Sequence, residues 1–376
     1  MTQDSAHPRE SAASQEAPST PIRQSAWDPS ADVVRVAAVA MVVVLHVAAG
    51  LLYQFGRIPA SWWWTANAID SLMRPAVPLL VMLSGMLLLG EGKDPPLWAF
   101  ARRRAERVLV PLLTWGSLYY AWSVRAGEAA LSWKSVAAAF IQGPIYYHLG
   151  FLYMLLGLYL ATPILRVYVQ KASRSNLRYF LILWLVAASL APTFTRFSHI
   201  SIGVPFVVTT GFVGYFVLGH YLRNVKVRGP SRLATLGLFC ALAAVTAWGT
   251  FGLTSRASGT LDETLYAYLS PNVVLMAACA FLLLRSLPLA PRASRADSWA
   301  RRALRFLSRV SFGVYLIHPF VLEALGSGAL GVSLTNATIH PAFGICATSM
   351  ATLILSLLGV AVLRKIPVVR QLLVPE

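Results

Sequence analysis

Charge is scarce in this chain. Only 12% of its 376 residues are Asp, Glu, Lys or Arg, about half the share usual in a soluble domain. Acidic residues are scarcest, 15 against 32 basic ones. Cysteine is down to Cys240, Cys279 and Cys346. They are far apart and form no CxxC pair, so neither a disulfide framework nor a thiolate zinc site is suggested, and no metal is expected. Walker, HExxH and GxSxG sequences are missing, as is any visible internal repeat. Gly326, Gly328 and Gly331 satisfy GxGxxG, but they end a hydrophobic helical run where a strand would be needed, and read as a turn. Asn336-Ala337-Thr338 fits a glycosylation sequon, which matters only in a secretory pathway.

Apolar residues are abundant, at 57%, and they come in runs of about 17 to 24, the length that crosses about 30 Å of hydrocarbon. Ten spans are expected: 32–53, 67–90, 108–125, 146–166, 178–194, 204–222, 232–253, 264–285, 309–326 and 341–363. In lipid each must close its own backbone hydrogen bonds, so all are helices. The expected fold is an all-α polytopic membrane bundle over 32–364. A polar, Ser/Pro-rich tail (1–31) precedes it and a short tail (365–376) follows; both tails are expected to be cytoplasmic. The first apolar run is too long and starts too late for a cleavable signal peptide.

Lys and Arg favour cytoplasmic loops. With the N-terminus inside, only Arg57, Arg125, Lys134, Arg196 and Arg256 fall in outer loops and Arg74 within a span, leaving 26 of the 32 basic residues on the inner side. Dropping any one helix puts later basic loops on the wrong side. The net charge of +17 is thereby explained by orientation and by anionic headgroups. Nucleic acid is not an expected partner, because no soluble basic face exists to hold it. Membrane lipids are. Residues 96–107 and 295–309 mix aromatic and leucine side chains with arginines, and read as interfacial amphipathic helices.

The informative residues are polar ones at membrane depth, which are costly and often functional. Arg35 and His46 are eleven residues apart, within about 20° of three full turns, so they share one helix face with a rise of about 16 Å. Arg35 sits at the cytoplasmic edge, where it also suits simple snorkelling. His46 lies about two turns below the outer surface. It suits either a hydrogen bond to a neighbouring helix or general-base chemistry near neutral pH. Arg74 is level with His46 and is followed by Pro75 and Pro78, which predict a kinked or irregular backbone. His148 opens the fourth span at its outer edge. His318 lies midway along the ninth span, and Glu323 one turn nearer the outside.

Five stretches, in order, carry a resemblance. They are Arg35 to His46 within VVRVAAVAMVVVLH, MRPAVPLLVMLSGMLLL at 73–89, RRAERVLVP at 103–111, YHLGFLYMLLGLYLATPILR at 147–166, and SFGVYLIHPFVL at 311–322. Together they resemble acyltransferase family 3, the integral-membrane O-acyltransferases of bacterial surface sugars. The resemblance spans essentially 32–364. The third stretch departs from the family pattern, with Leu113 in place of a final Tyr. No hydrolase-like domain is expected after the tenth span.

The resemblance implies an enzyme of the bacterial inner membrane, with acetyl-CoA as acyl donor from the cytoplasm. The acceptor is a hydroxyl of a lipid-linked oligosaccharide or polysaccharide. By the same resemblance His46 is the general base, Arg74 the oxyanion stabiliser, and Arg35 a guide for the donor. Arg103, Arg104 and Arg107 dock its phosphates, although positive-inside topology alone also places arginines there. His148, His318 and Glu323 position the sugar or relay protons. Whether the acyl group travels on the pantetheine arm or through an acyl-enzyme stays open. A transporter or flippase of an envelope glycan precursor is the competing reading, since carriers also use intramembrane His, Arg and Glu.

Overall fold

The computed structural model describes residues 28–90, 96–200, 211–257, 259–288, 296–331, 333–337 and 339–367. Among them every regular element is helical: α1 (Pro29–Leu52), α2 (Ala60–Met73), α3 (Ala76–Leu88), α4 (Leu97–Arg125), α5 (Trp133–Gln142), α6 (Gly150–Lys171), α7 (Arg174–Leu185), α8 (Ala191–Ser198), α9 (Val213–Tyr221), α10 (Gly229–Arg256), α11 (Pro271–Arg285), α12 (Ala296–Gly326) and α13 (Pro341–Leu363). A single π-helical turn, Val186–Leu190, joins α7 to α8.

Local chemistry sets the ends. Asp28 caps α1 by accepting from the Ser30 amide at 2.9 Å, and Pro29 occupies the first helical position, where its missing N–H costs nothing. Residues 28–31 of the expected polar tail thus already belong to α1 and its cap. Pro75 and Pro78 deprive the Ser71 and Arg74 carbonyls of their usual donors, and α2 gives way to α3 at Arg74-Pro75, as the kink expectation had it.

Among the described residues, six helical stretches are long and apolar enough to cross a membrane: Pro29–Leu52, Ala60–Leu88, Tyr147–Lys171, Arg174–Ser198, Gly229–Arg256 and Pro341–Leu363. The other four expected spans fall on α4, α9, α11 and α12, and part of 204–222 lies outside the described residues. The two expected interfacial helices are not separate elements. Residues 97–107 continue without a break into α4, and 296–309 into α12. Pro111 stands one turn past the α4 junction and leaves the Arg107 carbonyl without its usual donor, yet the helix runs on through it.

α13 is packed the reverse of a surface helix in a soluble protein. On α13 the buried face carries Thr348, Ser349, Thr352 and Ser356, while Phe343, Met350, Ile354, Leu358 and Val362 are exposed. Large apolar side chains facing outward with small polar ones facing inward are what lipid solvent selects. α1 is central, packing on α2, α3, α11, α12 and α13. α3 and α9 cross closely because Gly85 and Gly219 carry no Cβ. A methyl on either would overlap the Phe216 or Met82 backbone.

Candidate active site

α1 delivers His46 to the middle of the bundle, and α12 brings His318 against it. His46 Nδ1 lies 2.9 Å from His318 Nε2, and the two ring planes are parallel to within 1°. His318 is fully buried, and its Nδ1 stands 2.7 Å from the Tyr315 carbonyl oxygen one turn back. A carbonyl can only accept, so His318 Nδ1 carries the hydrogen. With both rings neutral, His318 Nε2 is then the acceptor and His46 Nδ1 the donor. The lone pair of His46 is left on Nε2.

His46 lines a 220 Å³ cavity with Tyr147, His148, Phe151, Met154 and Tyr268 among its walls. Tyr147 meets the His46 ring edge-on at 4.7 Å between centroids. His148 is 3% exposed, and neither of its ring nitrogens makes a well-formed hydrogen bond among the described residues. The Leu316 carbonyl that approaches it already accepts from Tyr119 Oη at 2.9 Å. A buried imidazole without a partner costs about 1–3 kcal/mol, a cost that an incoming hydroxyl or carbonyl can remove. Tyr315 Oη donates to the His148 carbonyl, tying α12 to the start of α6.

A second cavity of 510 Å³ lies toward the Arg35 end of α1. Its walls bring together Arg35, Arg104, Arg107 and Arg309, with Leu80, Leu83, Leu155 and Phe312 deeper in. Arg35 Nη1 donates to Ser308 Oγ at 2.8 Å and pairs with Asp32 at 3.5 Å. Ser308 also donates to Asp32, at 2.6 Å. Of the three arginines expected to dock a donor, Arg104 and Arg107 line this cavity. Arg103 is turned away, exposed, with Nε on the Ala99 carbonyl at 3.0 Å.

Arg74 occupies different ground. It is 9% exposed, pairs with the fully buried Asp70 through Nε at 2.5 Å and also through Nη2, and lies 3.8 Å over the Tyr266 ring. Tyr266 Oη in turn donates to Asn67 Oδ1. Arg74 is not among the walls of either cavity. Glu323 stands toward the C-terminal end of α12 and accepts from Trp122 Nε1 at 2.9 Å and from Tyr146 Oη at 3.4 Å.

A histidine that lines a cavity and is backed by a second histidine is a geometry able to take up and release a proton. A family model described as an acyltransferase domain, acyltransferase family 3, matches residues 28–361. The chain belongs to this acyltransferase family. No curated protein and no solved structure matches it. This acyltransferase therefore carries the family's sequence over nearly its whole length, on a multi-pass helical bundle.

Several residues of the acyltransferase site escaped sequence reasoning. Asp70 and Asp32 sit at i−4 and i−3 from Arg74 and Arg35, spacings that bring side chains together on a helix and that could have paired them. Arg309 could have been found by extending the α12 face back three residues from Phe312. Tyr147, Phe151 and Tyr315 carry no signal of their own, because aromatic residues are common throughout the chain.

Proposed function

We propose that this acyltransferase moves an acyl group, most simply acetyl, from acyl-CoA in the cytoplasm to a hydroxyl of a lipid-linked sugar or cell-surface polysaccharide. The carrying observation is the chain from the Tyr315 carbonyl through His318 to His46, which leaves the lone pair of His46 on Nε2 in a residue that lines the smaller cavity. Ten spans with both termini cytoplasmic, in a bacterial inner membrane, set the Arg35 end inside and His46 toward the outside.

On this reading Arg104, Arg107 and Arg309 bind the phosphates of the donor while its slim arm runs along α1. Arg35 guards the entry. His148 hydrogen-bonds the acceptor hydroxyl or the thioester carbonyl, and Glu323 holds a sugar hydroxyl at the outer rim. His46 Nε2 takes the hydroxyl proton as the oxygen attacks the carbonyl carbon. The carbon–sulfur bond breaks, and the departing thiolate recovers the proton from His46. His318 keeps the reactive nitrogen of His46 unprotonated between turnovers. Arg74, held by Asp70, supplies positive potential for the developing oxyanion from a distance.

The test uses membranes containing the full chain and acyl-CoA labelled in the acyl group. Transfer of label to a glycan, lost on deletion of the protein, supports the proposal. Membranes that consume no acyl-CoA but move a glycan precursor across the bilayer would replace it with the transport reading.

A further inference from the structure

The two cavities adjoin along α1, α3 and α6. α1 lines the larger with Arg35 and Val39 and the smaller with Val42, Leu45 and His46. α3 runs the other way, giving Leu80, Leu83 and Ser84 to the larger and Val77 to the smaller. α6 gives Leu155 and Tyr159 to the larger and Gly150 and Met154 to the smaller. From Val39 to Val42, and from Leu80 to Val77, the step is three residues, about 4.5 Å at the helical rise. The wall between the cavities is therefore about one turn thick.

Two side chains face both cavities, Phe151 of α6 and Tyr315 of α12. Their rings meet edge-on with centroids 5.4 Å apart. Tyr315 is fixed from both ends. Its hydroxyl donates to the His148 carbonyl, and its own carbonyl holds His318. Phe151 is held by packing alone, half-buried, and a phenyl ring can change rotamer without breaking a hydrogen bond. The partition thus has one fixed leaf and one movable leaf.

We propose that Phe151, closing against Tyr315, is the size filter for the acyl group that reaches His46. A slim thioester arm with a two-carbon acyl group passes when the Phe151 ring swings aside, and bulkier acyl groups are held back in the arginine-lined cavity. This rests on the acyl-CoA reading above. It adds a specificity-determining residue that touches neither the phosphates nor the proton transfer.

Two readouts on the same purified, membrane-reconstituted full-length protein test it. Cys240, Cys279 and Cys346 are first replaced by Ala, and Met154→Cys, which faces only the smaller cavity, is introduced as a reporter. A charged methanethiosulfonate reagent is then applied from the arginine-bearing face. Phe151→Val should speed labelling of the reporter at least tenfold, and Phe151→Trp should slow it. In competition between acetyl-CoA and hexanoyl-CoA, with the native Met154, Phe151→Val should raise the hexanoyl share of transfer about tenfold, and Phe151→Trp should lower it. The opposed substitutions guard against simple misfolding, which would move both variants the same way. Transfer that continues with an unchanged acyl preference overturns the filter, whatever the labelling does. Labelling that shifts while no acyl group is transferred from any donor overturns the acyl-CoA reading, and the filter with it.

Discussion

His46 Nδ1 and His318 Nε2 lie 2.9 Å apart across two helices whose contributing residues are 272 positions apart in the chain. The contact fixes which nitrogen of His46 is free, because His318 is itself fixed by the Tyr315 carbonyl at 2.7 Å. His318 is thus a positioning residue in this account, acting through His46, where the resemblance had implied that it positions the sugar or relays protons.

His318→Ala should lower kcat about 100-fold, within the range general-base catalysis supplies, and leave KM for acyl-CoA nearly unchanged. His318→Gln, whose amide oxygen can accept from His46 Nδ1, should recover part of the loss. Steady-state kinetics on both variants check this. Equal loss in Ala and Gln would assign His318 a purely space-filling role.

The donor cavity predicts a split among neighbouring arginines. Arg104→Gln with Arg107→Gln should raise KM for acyl-CoA about tenfold, equivalent to about 1.4 kcal/mol, and added salt should shrink the difference. Arg103→Gln should leave KM within about twofold, since Arg103 turns to the Ala99 carbonyl. A Michaelis analysis at two salt concentrations separates this from a membrane-orientation effect, which all three arginines would share.

Arg74 and Asp70 form a buried ion pair, and removing one partner of such a pair costs about 3–5 kcal/mol. Arg74→Met should therefore lower the thermal stability of the detergent-solubilised protein. Replacing both partners, Asp70→Leu with Arg74→Met, should restore most of it. If the charge of Arg74 also serves the oxyanion, the double variant should fold well and still turn over slowly. A fully active double variant would confine Arg74 to structure.

Toward the C-terminal end of α12, Glu323→Gln keeps the size of the side chain that accepts from Trp122 and Tyr146 but removes its charge. KM for the acceptor should rise several-fold while KM for acyl-CoA stays put. Kinetics with the acceptor varied at saturating donor would detect this, and an unchanged acceptor KM would remove Glu323 from the acceptor site.

What could be read from the chain alone follows a physical rule. Arg35 and His46 were placed on one face because helical geometry is local and regular, and they line two adjoining cavities that share Phe151 and Tyr315. The break at Arg74-Pro75 was legible because proline's missing donor is a local fact. Spans 341–363 and 32–53 were legible because lipid imposes a length, and they match α13 and α1 closely. By contrast, the pairing of His46 with His318 depends on how α1 packs on α12, which no local pattern encodes. The continuity of α4 and α12 through their arginine-rich first halves was hidden for another reason. Hydropathy marks where a helix enters apolar surroundings, and says nothing of where its hydrogen bonding starts. Arg103 and Arg104 are neighbours in sequence but about 100° apart around α4, so only the packed helix could tell which one faces the cavity.

The central claim is that His46 Nε2 is the base, and the most direct measurement is single-variant kinetics on His46→Gln. The full-length protein, reconstituted in lipid, is given labelled acyl-CoA and an acceptor glycan, and both thiol release and binding of the donor are followed. The account predicts kcat lower by about a thousandfold with donor affinity within about twofold of the parent. A His46→Gln protein that transfers acyl groups within a fewfold of the parent rate would contradict it, and would move the search for the base to His148.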